Sequence, residues 1–319
     1  MGTHHQTGSR RARGRRAPKR FARLRRMAKA ARSGLKRYPR ALLESVREAR
    51  RPRERVRGES LPDLEHHDLA AVWLGHSSVL VRVGGMNILA DPVFAHRIGV
   101  SMGGLTLGLP RHAPAPVREE HLPPIDLILI SHAHFDHLDK PTLKRLASRR
   151  TRVITARNTA RLIPRGFGEV VELDWGGSVR INDLDLSALR PAHYGARTAL
   201  DRRRGYNSYI LRTGSRPRSG GVLLAGDTAK TDAFNHLPNL ALAVFGIGSY
   251  ENWEHAHATP EEAWSMFRAS GAARLLPVHH STFPMGDEHV DEPMERLLAA
   301  AGKEAERVIR AEPGAVWTA

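Results

Sequence analysis

The sequence predicts a layered α/β domain of the α+β kind. The prediction rests on short apolar or alternating runs that recur from Leu69 onward, broken by glycine-containing turns, and on the few clear helical stretches between them. A hydrophobic fraction of 41% over 319 residues can bury a sizeable core, and no apolar run is long enough to cross a bilayer. Two parts are expected: a basic extension over residues 1–57 and one folded domain over residues 58–319.

The extension carries 21 Lys and Arg against Glu44, Glu48 and Glu54, a segment charge of +18. That leaves 29 of the 50 basic and 30 of the 33 acidic side chains for the other 262 residues. The net charge of +17 and the pI of 11.1 therefore describe the extension and not the domain. Phe21, Leu24, Met27, Ala28, Ala31 and Leu35 recur at helical spacing among arginines and lysines, as in an amphipathic helix on an anionic membrane surface. A solvated tail is the competing reading, because few large apolar residues offset the ordering entropy. A nucleic-acid arm is a third, with only Phe21 and Tyr38 as stacking faces.

In chain order, strands are expected at Ala71–Leu74, Val79–Val83 and Asn87–Ala90, the last two joined by a tight turn at Gly84-Gly85. Residues 94–116 are rich in Gly and Pro yet carry Val100, Met102, Leu105, Leu107 and Leu109. They are read as a loop that lines an acyl-chain groove, acts as a lid, or tucks against the core. Further strands are expected at Leu127–Ile130, Arg152–Thr155, Val170–Leu173, Leu184–Leu189, Ser208–Leu211, Val222–Leu224, Leu240–Phe245 and Arg274–Val278. Helices are expected at Pro141–Ser148, Pro260–Ala269 and Met294–Ala301. Thr259, Pro260 and Glu262 form a capping box with proline at the first helical position.

The chain has no cysteine, so any metal must be held by histidine and carboxylate. Directly after Leu127–Ile130, the segment 131–139 reads SHAHFDHLD. His132 and His134 stand two apart and share a side on extended chain, while Asp136 and His137 come where the chain would turn into a helix. His193, Asp227 and His279 each stand just beyond another strand-like run. Five histidines and two aspartates could thus converge at one sheet edge, too many for one tetrahedral ion and enough for two.

The SHAHFDHLD segment resembles the metallo-β-lactamase superfamily, together with Ala225-Gly226-Asp227-Thr228, Pro191-Ala192-His193-Tyr194 and the run from Val278 to Phe283. Blocks such as Trp73-Leu74-Gly75-His76-Ser77-Ser78, Leu89-Ala90-Asp91-Pro92 and Glu172-Leu173-Asp174-Trp175 make it similar to the branch of N-acyl-phosphatidylethanolamine-hydrolysing phospholipase D, with lactonase relatives nearby. The resemblance runs from about Ala71 to about Phe283. It implies a four-layer αββα sandwich with metals at one edge of the two sheets. It assigns His132, His134 and His193 to one divalent ion and Asp136, His137 and His279 to the other, with Asp227 bridging. Zinc is the default metal, and iron and manganese accept the same ligands.

By the same resemblance, Asp136, Asp227 and His257 stand at the chemistry: hydrolysis by a hydroxide shared between the ions, with His257 bonding the substrate oxyanion or protonating the leaving group. A loop histidine is otherwise merely solvated. His76 would orient a neighbour or shape a turn, and Asp91 would support the metals or serve the turn before Pro92. His280 is read as a support behind the ligands or a bystander, and Asp139 as a helix cap. Arg197, Arg202, Arg203 and Arg204 could reach a phosphate or form a hydrated loop.

The function expected is a dinuclear metal-dependent hydrolase, a phospholipase D-like phosphodiesterase acting on an N-acyl-phosphatidylethanolamine-type lipid or another small phosphodiester. Lactone or amide hydrolysis is the same-site alternative. A nucleic-acid-processing or nucleic-acid-binding protein using the basic arm is the reading from another class. The near-neutral domain and the absence of Gly after His137-Leu138-Asp139 favour the hydrolase. The expected location is cytoplasmic, or peripheral to the inner face of a membrane through residues 1–57.

Overall fold

The computed structural model describes residues 61–102, 105–198, 201–214 and 220–319. The basic extension 1–57, and the expectations placed on it, lie outside the described residues.

Fifteen strands and three α-helices are described, in the order β1 (Leu69–Trp73), β2 (Val79–Val83), β3 (Met86–Ala90), β4 (Arg97–Met102), β5 (Leu105–Pro110), β6 (Leu127–Ile130), α1 (Lys140–Arg145), β7 (Arg152–Ala156), β8 (Glu169–Leu173), β9 (Ser178–Ile181), β10 (Leu184–Leu189), β11 (Ser208–Thr213), β12 (Gly221–Leu224), β13 (Leu240–Gly246), α2 (Pro260–Ser270), β14 (Arg274–Val278), α3 (Glu292–Ala301) and β15 (Val316–Thr318). One seven-stranded sheet runs β15-β1-β2-β3-β6-β7-β8, and a six-stranded sheet runs β14-β13-β12-β11-β10-β9. All eleven strands expected from the sequence are present, with ends moved by a residue or two.

Side-chain alternation builds the layers. Leu69, Ala71 and Trp73 of β1, with Leu127 and Leu129 of β6, meet Leu186, Leu211, Leu242, Val244 and Leu276 of the other sheet in the central core. The intervening residues Ala70, Val72, Ile128 and Ile130 face outward and pack with Leu138 and with Leu143 of α1. On the far side, Ala243, Phe245 and Leu275 are covered by Trp264 and Phe267 of α2 and Leu297 of α3. Each sheet thus buries both faces, giving the αββα sandwich.

The local signals behave as expected. Gly84 and Gly85 carry positive φ, 60° and 75°, as a two-residue hairpin turn requires. Thr259 and Glu262 form both bonds of the capping box on α2. Asp139 caps α1 by accepting from Thr142 N at 3.1 Å.

Residues 94–116 differ from the loop expected of them, because they contain the β4–β5 hairpin. Gly99 and Gly108, two of the glycines that argue for a loop, are paired across the strands. A Cβ on Gly108 would stand 1.8 Å from Ile98 O, so the close approach excludes any side chain. Ile98 and Leu109 tuck against Val93 and Phe283, while Val100 is half exposed. β9 and β15 also went unforeseen. Both are edge strands: β9 alternates as Ser178-Val179-Arg180-Ile181 but over four residues only, and β15 spans three, so the periodic signal is short in one and missing in the other.

Strand direction positions the site. β1 and β3 each run antiparallel to β2, and β3 is parallel to β6, so β1, β3 and β6 end on one side. In the other sheet β10, β12, β13 and β14 likewise point one way. Segments leaving these carboxyl ends form a single rim, the usual place for a site in such sheets.

Candidate metal centre

Every chemistry-bearing segment follows one of those strand ends. His76 follows β1, Asp91 follows β3, residues 131–137 follow β6, His193 follows β10, Asp227 follows β12, His257 lies between β13 and α2, and His279 follows β14. The structure brings all of them together. His132, His134, His193 and Asp227 form one group of converging ligand atoms; His76, Asp136, His137 and His279 form another. Asp227, His257 and His279 form a third that overlaps both regions.

Distances within the groups suit ions. His132 Nε2 stands 2.8 Å, and His193 Nε2 3.4 Å, from His134 Nδ1. Nitrogens held about 2.0–2.1 Å from a tetrahedral zinc are about 3.4 Å apart, so these lone pairs face a common point at near-ligand spacing. Asp227 Oδ2 lies 3.1 Å from His137 Nε2, 3.3 Å from His279 Nε2, and 3.8 Å from His132 Nε2, His193 Nε2 and His257 Nδ1. Asp136 Oδ2 lies 2.9 Å from His76 Nε2 and 3.3 Å from His279 Nε2. Asp227 Oδ2 and His137 Nε2 are buried with no hydrogen-bond partner. Buried polar atoms are rarely left so, and a cation between them would satisfy both.

Supporting groups aim the rings. Asp91 can only accept, so His137 Nδ1, 2.8 Å from Asp91 Oδ2, carries a proton, which leaves Nε2 as the ring atom that faces Asp227. His193 Nδ1 likewise donates to Ala256 O at 2.9 Å. Asp91 also accepts from Ser131 N at 2.7 Å, and Ser131 Oγ stands 2.9 Å from His132 Nδ1. Thr228 joins three segments: its hydroxyl accepts from Ala192 N at 3.0 Å and its carbonyl from Ala258 N at 2.7 Å, tying His193 and His257 to Asp227.

His76, Asp91 and His279 all carry positive φ, at 52°, 41° and 60°. Such backbone costs about 1 kcal/mol or more per residue and persists where surroundings over-determine it. They do so here: His76 N donates to Thr282 Oγ1 at 2.7 Å, His279 N to His76 O at 2.9 Å, and Asp91 N to Leu129 O at 2.9 Å.

The electrostatics match ligand chemistry. Burial alone would lift Asp227 and Asp136, but the neighbouring imidazoles, His137 foremost, hold both well below the ordinary carboxylate range. Burial, reinforced by surrounding histidines, pushes His132 and His193 well below 6.5 and His76 down to about 3. His137 and His279 go the other way: against burial, which alone would lower them, Asp227 and Asp136 lift His137 well above 6.5 and His279 to about 9. Anionic carboxylates and neutral imidazoles are the states that bind metal, so an ion would displace a proton from each of these two rings.

The lesser candidates sort clearly. His257 sits beside Asp227 with its side chain 11% exposed, the reachable histidine of the third group. His280 is in none of the groups and stacks on Trp73 at 4.7 Å. Arg197 and Arg204 are no hydrated run: Arg197 donates to Ala133 O and Leu138 O, and Arg204 to Asp201 and to Asn158 O. Arg202 and Arg203 are exposed. The part of His76 in a ligand-competent group exceeds the turn or orienting role read from the sequence. The supports Ser131, Thr228 and Thr282 had gone without a role, because serine and threonine beside a ligand carry no spacing signal.

Residues 86–280 match the family described as the beta-lactamase superfamily domain. An uncharacterized protein of Mycobacterium tuberculosis is 33% identical over 77% of this chain and 68% of its own length. The N-acyl-phosphatidylethanolamine-hydrolyzing phospholipase D 1 of Caenorhabditis elegans is 30% identical over 72% of this chain and 68% of its own. A metal-dependent hydrolase of Hyperthermus butylicus is 26% identical over 67% of this chain and 84% of its own. The fold is shared with a possible metal-dependent hydrolase from Veillonella parvula, with TM-score 0.61, 14% identity, 79% of this chain and 100% of that one. It is shared too with a metallo hydrolase from Ignicoccus hospitalis, with TM-score 0.57, 20% identity, 78% and 97%. The chain belongs to the beta-lactamase superfamily, as one of its metal-dependent hydrolases.

Proposed function

We propose that this metal-dependent hydrolase is a dinuclear phosphodiesterase of phospholipase D type, cleaving an N-acyl-phosphatidylethanolamine-type lipid or another small phosphodiester. The observation that carries the reading is Asp227 Oδ2, buried, unpartnered and within 3.8 Å of ring nitrogens from both ligand groups. A carboxylate so placed can serve two ions at once. The name of the Caenorhabditis elegans relative supports the substrate class.

His132, His134, His193 and Asp227 would hold one ion, and Asp136, His137, His279 and Asp227 the other. Divalent ions there, zinc by ligand preference and iron or manganese by the same donor set, supply Lewis acidity toward phosphoryl oxygens and lower the pKa of water to about 7. The net reaction adds water across one P–O ester bond and yields a phosphate monoester and an alcohol.

The chain's own groups provide the frame. Asp91, Ser131 and Ala256 O fix the ring tautomers and orientations that leave lone pairs facing inward. Burial pushes His257 down to about 4 against the pull of Asp227, so its ring is neutral near pH 7 and suited to donate a hydrogen bond to a substrate oxygen. Elemental analysis after mild purification, followed by assays on matched phosphodiester, lactone and N-acyl amide substrates, tests the reading. Two metal equivalents with preferred turnover of the diester are expected; preference for the lactone or the amide would overturn the phosphodiester assignment.

A further inference from the structure

Arg197 lies in the loop beyond His193, and its side chain leaves the second sheet to grip the ligand loop of the first. A single nitrogen, Nη1, donates to Ala133 O at 2.9 Å and to Leu138 O at 2.8 Å. The guanidinium carbon stands 3.9 Å from the centre of the Phe135 ring, within the range of a cation–π contact. Ala133 and Leu138 are fully buried and bracket His134, Asp136 and His137. The chain between them turns through His137 N and Leu138 N, which both donate to His134 O.

We propose that Arg197 is a positioning residue for the metal centre, holding the 133–138 loop of one sheet in register with His193 of the other. The two loops come from separate sheets, and the site works only if His134 of the first meets His193 of the second, which stand 3.4 Å apart. A guanidinium suits the task because it is planar, always charged, and can stack while its N–H groups point at two carbonyls. A lysine ammonium offers neither the plane nor the fork. Without the clamp, two buried carbonyls lose a charged donor and the loop loses its tie to the second sheet. Both hydrogen bonds of Arg197 go to backbone carbonyls, so it acts through the ligands it places.

This inference rests on the two groups being metal sites, and the test separates the two ideas. Zinc affinity of the full chain is measured by competition with a chromophoric chelator for the wild type and for Arg197→Ala, Arg197→Lys and Phe135→Leu. Amide hydrogen exchange is measured on the metal-free proteins. For Arg197→Ala, zinc binding 10- to 100-fold weaker and faster exchange at residues 133–138 are expected, the scale usual for groups that orient ligands. Arg197→Lys should not restore affinity, whereas millimolar methylguanidinium should move Arg197→Ala back toward wild type and leave the wild type unchanged. Wild-type zinc affinity with unchanged exchange in Arg197→Ala, or full function in Arg197→Lys, would overturn the clamp. Should Arg197→Ala fail to fold, Phe135→Leu, which keeps both hydrogen bonds, decides: several-fold weaker binding supports the clamp and unchanged binding overturns it. If the wild type itself takes up neither zinc, iron nor manganese, the metal reading fails, and exchange in the metal-free proteins still decides the clamp.

Discussion

Asp227 and His280 show how differently two buried titratable residues can act at one rim. Asp227 Oδ2 has no hydrogen-bond partner and faces five ring nitrogens, so its charge has a purpose beyond packing. Asp227→Asn removes that charge with little change in shape. It should lower metal content in both groups from two equivalents to below one and reduce turnover by about 100-fold or more. Elemental analysis of the purified variant checks this, and full metal content with full activity would remove the bridging role. His280 also has a buried ring nitrogen without a partner, Nε2, but it stands in none of the ligand groups and stacks on Trp73, with its pKa lowered to about 4 by burial. Its folded pKa lies below the ordinary 6.5, so the unfolded chain takes up the proton first as pH falls. The stability it contributes is present above about pH 6.5 and is lost progressively toward pH 4, up to about 3 kcal/mol. Thermal melts of metal-free wild type and His280→Phe across that window should show a shallower acid loss in the variant. Equal slopes would remove His280 from the account.

At the scale of elements, the rim is built by strand ends, and the ends were readable because turn residues mark them. Leu127–Ile130, Leu184–Leu189 and Arg274–Val278 have the limits expected from the sequence, and each delivers a proposed ligand just beyond its last residue. The β4–β5 hairpin was not readable, since Gly99 and Gly108 signal a loop in sequence while in space they permit two backbones to approach. α2 begins directly after His257 and Ala258, so its cap also fixes the exit of that loop. Thr259→Ala breaks the bond from Glu262 N to Thr259 Oγ1 and should cost about 1 kcal/mol, read as a lower urea midpoint with unchanged slope. A cost below about 0.3 kcal/mol would mean that packing of Trp264 and Phe267 alone sets the start of the helix.

For the whole molecule, charge and chemistry are separable. The +18 segment 1–57 lies ahead of a domain with nearly balanced charge. We propose that this segment contacts anionic membrane, so its deletion should spare turnover of a water-soluble diester and weaken binding to anionic vesicles in a salt-dependent way. Unchanged vesicle co-sedimentation would defeat the membrane role. Loss of binding to RNA alone would move the segment to nucleic acid. Among the described residues no helix is long and apolar enough to cross a membrane.

By itself the sequence determined which residue types stand at which strand ends: HxHxDH after β6, then His193, Asp227 and His279, with no cysteine to compete. Those are local properties, carried by periodicity, turn chemistry and donor type, and they survive without knowledge of neighbours. Only the tertiary structure decided what lies across the gap between the sheets: His76 beside Asp136, the shared exposure of Asp227 to both groups, Asp91 behind His137, and Arg197 on the backbone of residues 133–138. These contacts join segments 46 to 64 residues apart, as well as the more distant strand ends. They follow from the parallel course of β1, β3 and β6 in one sheet and of β10, β12, β13 and β14 in the other, a pairing that no local pattern specifies.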